Sequence, residues 1–302
     1  MTIWQLHLLN ARGNLTVIMA EIRAHARAVL AVVEPHLDVP RFDLVVRAGD
    51  DIIPDWGIGG AAPAPGVVEL VVDPGRVAPE HFQRTLARQL FLLTRWDGPG
   101  YGRSLGEALV SEGLAGRFVQ EVLGGPADPW DQARPGAGTL KQAATLWARR
   151  DYDHGAWFLG RGKMRKWTGY GIAQRLVAAH LAEDEHAALL VHAPADEFRA
   201  ALRRLMAAEG IEMSEEEEAA LTAAEVAASD EAALASGAGQ DTSSPEHAGE
   251  AEPDADSAAA EGESQAENDP GDGAAEVSLP RDGGHENGQR DVQAKDQGDR
   301  AD

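Results

Sequence analysis

The sequence predicts an α+β domain of mixed strands and helices over residues 1–213, followed by an acidic low-complexity tail over 214–302. Three observations carry that division. Short segments that alternate apolar and polar residues are interleaved with segments whose apolar residues recur every three to four positions. The charge is split unevenly: residues 214–302 hold 25 acidic and 4 basic residues, whereas 1–213 hold 25 and 23. The last aromatic residue is Phe198, so the tail lacks the side chains that build a core.

Trp4-Gln5-Leu6-His7-Leu8 alternates as a first strand and is broken by Ala11-Arg12-Gly13-Asn14. Residues 15–33 place Leu15, Ile18, Ile22, Ala26, Val29 and Val33 at helical spacing, ending near Pro35. Residues 42–46 read as a second strand and the Val-rich 67–72 as a third, closed by Asp73-Pro74-Gly75. Helices are predicted over 81–96 and 104–123, then a Pro/Gly-rich loop over 126–138. Residues 139–151 and 169–181 are further helices, with an irregular connector over 153–167 between them. Pro194 opens a last amphipathic helix with Phe198, Leu202 and Leu205 on one face, stopped by Gly210. In the tail, Ser214 followed by four glutamates reads as a capped helix start over 215–228, and disorder is expected beyond about 230.

Composition excludes several classes. The chain has no cysteine, which rules out disulfide scaffolds, thiolate zinc sites and cysteine nucleophiles. Met1 to Arg12 lacks the basic start and apolar core of a secretion signal, and no run of 18 apolar residues occurs. The reading is a cytoplasmic protein. A tail of net charge −21 repels phosphate backbones and anionic lipid surfaces, so neither nucleic acid nor membrane is expected as a partner.

Several strings carry more specific information: Ile53-Pro54-Asp55-Trp56-Gly57-Ile58-Gly59-Gly60, Asp73-Pro74, Arg95-Trp96-Asp97-Gly98-Pro99-Gly100-Tyr101-Gly102, Glu107 to Phe118, Asp153 to Gly160, and Trp167 to Tyr170. In order and without large gaps, residues 2–181 resemble a bacterial family of predicted zinc-dependent proteases of the His-Glu-x-x-His type. Two histidines four apart on a helix share a face and can reach one zinc, and the glutamate between them serves as general base. The resemblance implies a zincin-like fold: a small sheet, an active-site helix at 81–96 beneath it, and a helix at 104–123 that brings Glu112 across as a third ligand. It also implies a strand that lies antiparallel to an extended substrate, for which 67–72 is the candidate.

This sequence departs from the motif at its centre. Arg88 stands at the first ligand position, Gln89 at the base position and Leu92 at the second ligand position. Arginine has five donors and no lone pair to give. The expectation is therefore a protein that keeps the cleft, holds no metal although zinc serves the family, and binds a peptide or protein there or regulates an active relative. Glu112 becomes a relic ligand, expected to pair with Arg88 in place of the zinc bridge. Leu92 is expected to fill part of the metal hole, and His154 and Tyr170 to line the cleft. The run Gly57-Ile58-Gly59-Gly60 is expected to shape the cleft rim. Two alternatives stay open: a working zinc peptidase with ligands from His81, His154 and Glu112, and a scaffold that acts through its tail.

Overall fold

The computed structural model describes residues 2–181 and 185–212. Among these, four strands and seven α-helices follow one another in the order β1 (Trp4–Leu9), α1 (Met19–Val33), β2 (Phe42–Ala48), β3 (Ile58–Ala64), β4 (Val67–Val72), α2 (Pro79–Thr94), α3 (Leu105–Leu123), α4 (Thr139–Thr145), α5 (His154–Leu159), α6 (Thr168–His180) and α7 (Arg199–Ala208). The readings of 215–228 as a helix and of the distal tail as disordered lie outside the described residues.

The strands form one mixed sheet in the order β1-β2-β4-β3, with β1, β2 and β4 parallel and β3 antiparallel to β4. The crossover from β1 to β2 runs through α1, as a parallel pair requires. Val68, Leu70 and Val72 are fully buried in β4, and Leu44 and Val46 in β2. Helix α2 packs on β3 and β4 and also against α1 and α3. Its apolar residues Leu86, Leu90, Phe91 and Leu93 are fully buried, which a helix enclosed on most sides requires. Phe91 meets Phe118 of α3 with ring centroids 5.2 Å apart. Helix α3 opens with a reciprocal capping box, Glu107 N donating to Ser104 Oγ at 3.3 Å and Ser104 N to Glu107 Oε2 at 2.7 Å. None of the described helices is long and apolar enough to cross a membrane.

Five expectations are corrected. Ile58–Ala64 is a strand, not merely a glycine-rich rim. It has almost no β-branched residue, so pairing with Val67–Val72 rather than local propensity makes it a strand. Val67–Val72 cannot receive an extended substrate, because β2 and β3 occupy both of its edges. The helix expected over 139–151 ends at Thr145. The backbone beyond it is diverted to cap α3, where Leu105 N and Gly106 N donate to the carbonyls of Arg149 and Trp147 at 3.2 and 2.9 Å. The connector over 153–167 contains α5, nucleated by Asp153, whose side chain accepts from Ala156 N at 3.0 Å. Helix α1 also begins at Met19 instead of 15, since Asn10 Oδ1 holds Leu15 N at 2.7 Å in a preceding turn.

Candidate functional site

Thr85, Arg88, Gln89 and Leu92 follow the spacing that makes one stripe along a helix, and all four line a cavity of about 320 Å³ between α2 and the edge strand β3. Gly59 to Ala62 form the strand wall, and Tyr101, Glu112, Trp130, His154 and Tyr170 close the other sides. The close seat of β3 depends on Gly60: an added Cβ there would lie 2.9 Å from Gln89 Cγ, Leu70 Cδ2 and Thr85 Cγ2. On the outer edge, Ile58 O accepts from Ile53 N at 3.2 Å and Ala62 O from Trp96 Nε1 at 3.0 Å. Gly60 is in phase with both, so strand alternation directs its N–H and C=O to the same outer edge.

The Arg88 guanidinium occupies the centre of the site. Its Nε donates to Glu112 Oε2 at 3.1 Å, so the expected pair between α2 and α3 is present. Its Nη2 also donates to the Glu112 carbonyl at 3.1 Å, and Asp131 takes two parallel bonds, from Nη1 at 2.9 Å and Nη2 at 3.1 Å. The rings of Trp130 and Tyr170 lie 5.6 and 5.3 Å from the guanidinium carbon, within cation–π range. Glu112 is completed by the Tyr101 hydroxyl, which donates to Oε1 at 3.0 Å.

One turn earlier, Arg84 donates to Asp128, to Gly124 O at 2.9 Å and to Pro126 O at 3.0 Å. Asp128 also lies 3.7 Å from Arg88 Nη1. Two guanidinium groups thus face three carboxylates, all five buried. The imbalance falls on Asp131: burial raises its pKa to about 6, Arg88 opposes the rise, and Asp128 and Glu112 add to it. Burial works against the charge on Arg88, but Asp131 and Glu112 outweigh it and hold the guanidinium well above its ordinary value. Burial and then Glu112 likewise raise the pKa values of Tyr101 and Tyr170.

Small residues on α3 make this packing possible. A Cβ on Gly113 would lie 2.5 Å from Ala173 O of α6, and one on Gly116 would lie 2.5 Å from Asp131 Oδ2. The glycine after Glu112 therefore serves the crossing of α3 and α6, and Gly116 lets Asp131 reach Arg88.

Glu112, Leu92, His154 and Tyr170 come together on one cavity, as expected, whereas His81 does not line it. The His81 ring stacks on Trp56 at 3.7 Å, with Nδ1 2.9 Å from Trp56 O. His154 stacks on Phe158 at 4.6 Å and its Nδ1 lies 3.2 Å from the Tyr152 hydroxyl. Burial is the main cause of its lowered pKa, favouring a neutral imidazole. Gln89 Oε1 and Trp130 Nε1 are buried without a hydrogen-bond partner among the described residues. The sequence reading missed Arg84, Asp128 and Asp131. The available signal was two arginines one turn apart on an otherwise apolar helix, which must find buried carboxylates.

The fold and site define a mixed α/β domain with a cleft between a sheet edge and a buried helix whose polar stripe faces it. The chain belongs to the predicted Zn-dependent protease family, whose model matches residues 19–200. Neither the curated proteins nor the solved structures yield a match to this chain.

The family description implies zinc, and the residues present do not fit it. Arg88 and Leu92 offer no lone pair to a metal, Asp131 spends both oxygens on the Arg88 guanidinium, and Glu112 gives Oε2 to Arg88 and Oε1 to the Tyr101 hydroxyl. Among the described residues, no group of three or more His, Asp or Glu side chains is placed to hold a metal ion.

Proposed function

We propose that this chain is a non-catalytic member of its family, a zincin-like domain that binds a peptide segment in the cleft beside Gly60 of β3 without cleaving it. The observation that carries this reading is Arg88: its charge and its bonds to Glu112 and Asp131 fill the position that the resemblance gives to the first metal ligand. Gln89 follows at the base position, where an amide cannot take a proton from water. The recognition surface consists of Gly60 on the edge strand, the unpartnered Gln89 Oε1, and the apolar walls from Leu92, Trp130 and Leu159. Backbone pairing to a strand edge supplies affinity, and the cavity beside it selects the side chain.

The test combines elemental analysis of the purified full chain with hydrolysis of fluorescein-labelled casein, with and without a chelator. Stoichiometric zinc together with chelator-sensitive cleavage overturns the reading. Panning a random heptapeptide library on the wild type and on Gly60→Trp examines the binding half. Peptides enriched on the wild type alone support it, and equal enrichment on both refutes the β3 site.

A further inference from the structure

The connector from α5 to α6, Gly160-Arg161-Gly162-Lys163-Met164-Arg165-Lys166-Trp167, carries four cations on six successive positions, all exposed. Elsewhere in the domain some arginines are matched with carboxylates, as in Arg47–Asp51, Arg117–Glu121, Arg149–Asp151 and Arg175–Glu209, and others, such as Arg23, Arg27 and Arg103, are exposed without one among the described residues. The connector differs in crowding four cations into six positions. Arg161, Lys163, Arg165 and Lys166 have no carboxylate partner among the described residues, and the Lys166 ammonium sits 4.1 Å over the Trp167 ring. The connector also joins two cavity-lining residues, Leu159 and Tyr170, so this positive patch borders the cleft.

The path of the chain brings an anion to the same place. Helix α7 runs antiparallel to α6: Arg204 donates to Ala179 O at 2.7 Å, and five residues later Glu209 pairs with Arg175, four residues back along α6. The polypeptide therefore travels toward the N-terminal end of α6, where the basic connector joins it. Arg175 to Thr168 spans about 10 Å at 1.5 Å per helical residue. The described chain ends at Glu212, and Glu215-Glu216-Glu217-Glu218 follows after Met213 and Ser214. Three to six further residues reach roughly 10–20 Å when extended, comparable with that span.

We propose that Glu215-Glu216-Glu217-Glu218 dock on the Arg161–Lys166 connector of the same chain, at the border of the cleft. Charge complementarity favours the contact, and the short tether raises the local concentration of the acidic run to the millimolar range or above. The same tether disfavours untethered anions, because a nucleic acid or an acidic lipid surface meets the repulsion of the whole tail. The contact does not depend on what the cleft binds.

Carbodiimide cross-linking of the full chain, read by peptide mass spectrometry, tests it. The expected products join Lys163 or Lys166 to one of residues 215–218, within one chain, as a mixture of ¹⁵N-labelled and unlabelled protein distinguishes. Their yield should fall at least about fivefold when salt is raised to about 0.5 M, where the screening length drops to a few ångströms. It should fall as far in the variant with Arg161→Glu and Arg165→Glu, which reverses the charge of the connector while keeping both reactive lysines and all four glutamates. No product from these lysines, equal yield to the distal tail, undiminished yield in the Arg161→Glu, Arg165→Glu variant, or mixed-isotope products in the majority would each overturn the proposal.

Discussion

Arg88 and Asp131 lie guanidinium against carboxylate, joined by parallel bonds of 2.9 and 3.1 Å although 43 residues separate them. Since each is less than a tenth exposed, removing one partner leaves the other's charge stranded. Arg88→Met is expected to destabilise the domain by about 3–5 kcal/mol, the range for breaking a buried pair, measured by urea unfolding. Adding Asp131→Asn to Arg88→Met should recover part of that loss. A single-variant cost below about 1 kcal/mol, the level of an exposed pair, would show that the cluster does not hold the helices together.

Asp131 also sets a pH dependence. Its folded pKa of about 6 lies above the ordinary 3.8, so between these values the folded chain keeps a proton that the unfolded chain has released. The contribution is fully present below the lower value and is lost as pH rises through the upper one, with a slope of up to about 1.4 kcal/mol per pH unit. Asp131→Asn has no carboxyl to titrate and so lacks this dependence. The stability difference between wild type and Asp131→Asn, from urea unfolding at pH 4 to 8, should shift against the wild type up to pH 6 or 7 and then level off.

Restoring the motif tests the reading of α2. Arg88 and Leu92 lie one turn apart on the cavity stripe with Glu112 opposite. Arg88→His with Leu92→His is expected to take up stoichiometric zinc by elemental analysis where the natural chain takes up none. Cleavage of casein should need Gln89→Glu as well, because only the carboxylate can act as base. Zinc already bound by the natural chain would require a different ligand set.

Gly60 should tolerate a side chain poorly, since three side-chain atoms already lie 2.9 Å from its missing Cβ. Gly60→Val is expected to push β3 away from α2 at a cost of about 1–3 kcal/mol from overpacking. Gly136→Ala is the control, with its nearest atom 3.8 Å away and an expected change within about 1 kcal/mol, of stabilising sign. Thermal melting of both variants separates crowding at the cleft from the general effect of replacing a glycine.

Local signals made part of this fold legible. Val67–Val72 was bounded correctly because a Val-rich run lies between Gly66 and Asp73-Pro74, and α3 because Ser104 and Glu107 have the spacing of a capping box. The pairing of Arg88 with Glu112 was legible because helical spacing and the family resemblance place both on one site. Ile58–Ala64 was not, since Gly, Ala and Pro carry no strand preference and only the partner strand imposes the conformation. Asp128 and Asp131 were hidden for a related reason: in a Pro/Gly-rich segment, aspartates read as turn formers, and their burial depends on arginines distant in sequence.

Arg95 carries a consequence for how the protein is made. Its side chain is fully buried and donates to Gly100 O at 3.2 Å, Ser111 Oγ at 3.0 Å, Val191 O at 2.7 Å and Ala193 O at 3.3 Å. The last two partners lie nearly a hundred residues downstream. At about 5–20 residues per second on the ribosome, a nascent chain waits roughly 5–20 seconds after Arg95 is added before those carbonyls exist. Until then the sheet and the first two long helices would have to hold a cation with two donors unmet. Translation must therefore run past Ala193 before this interior can close, and a product stopped short of Val191 should reach the cell's proteases unfinished.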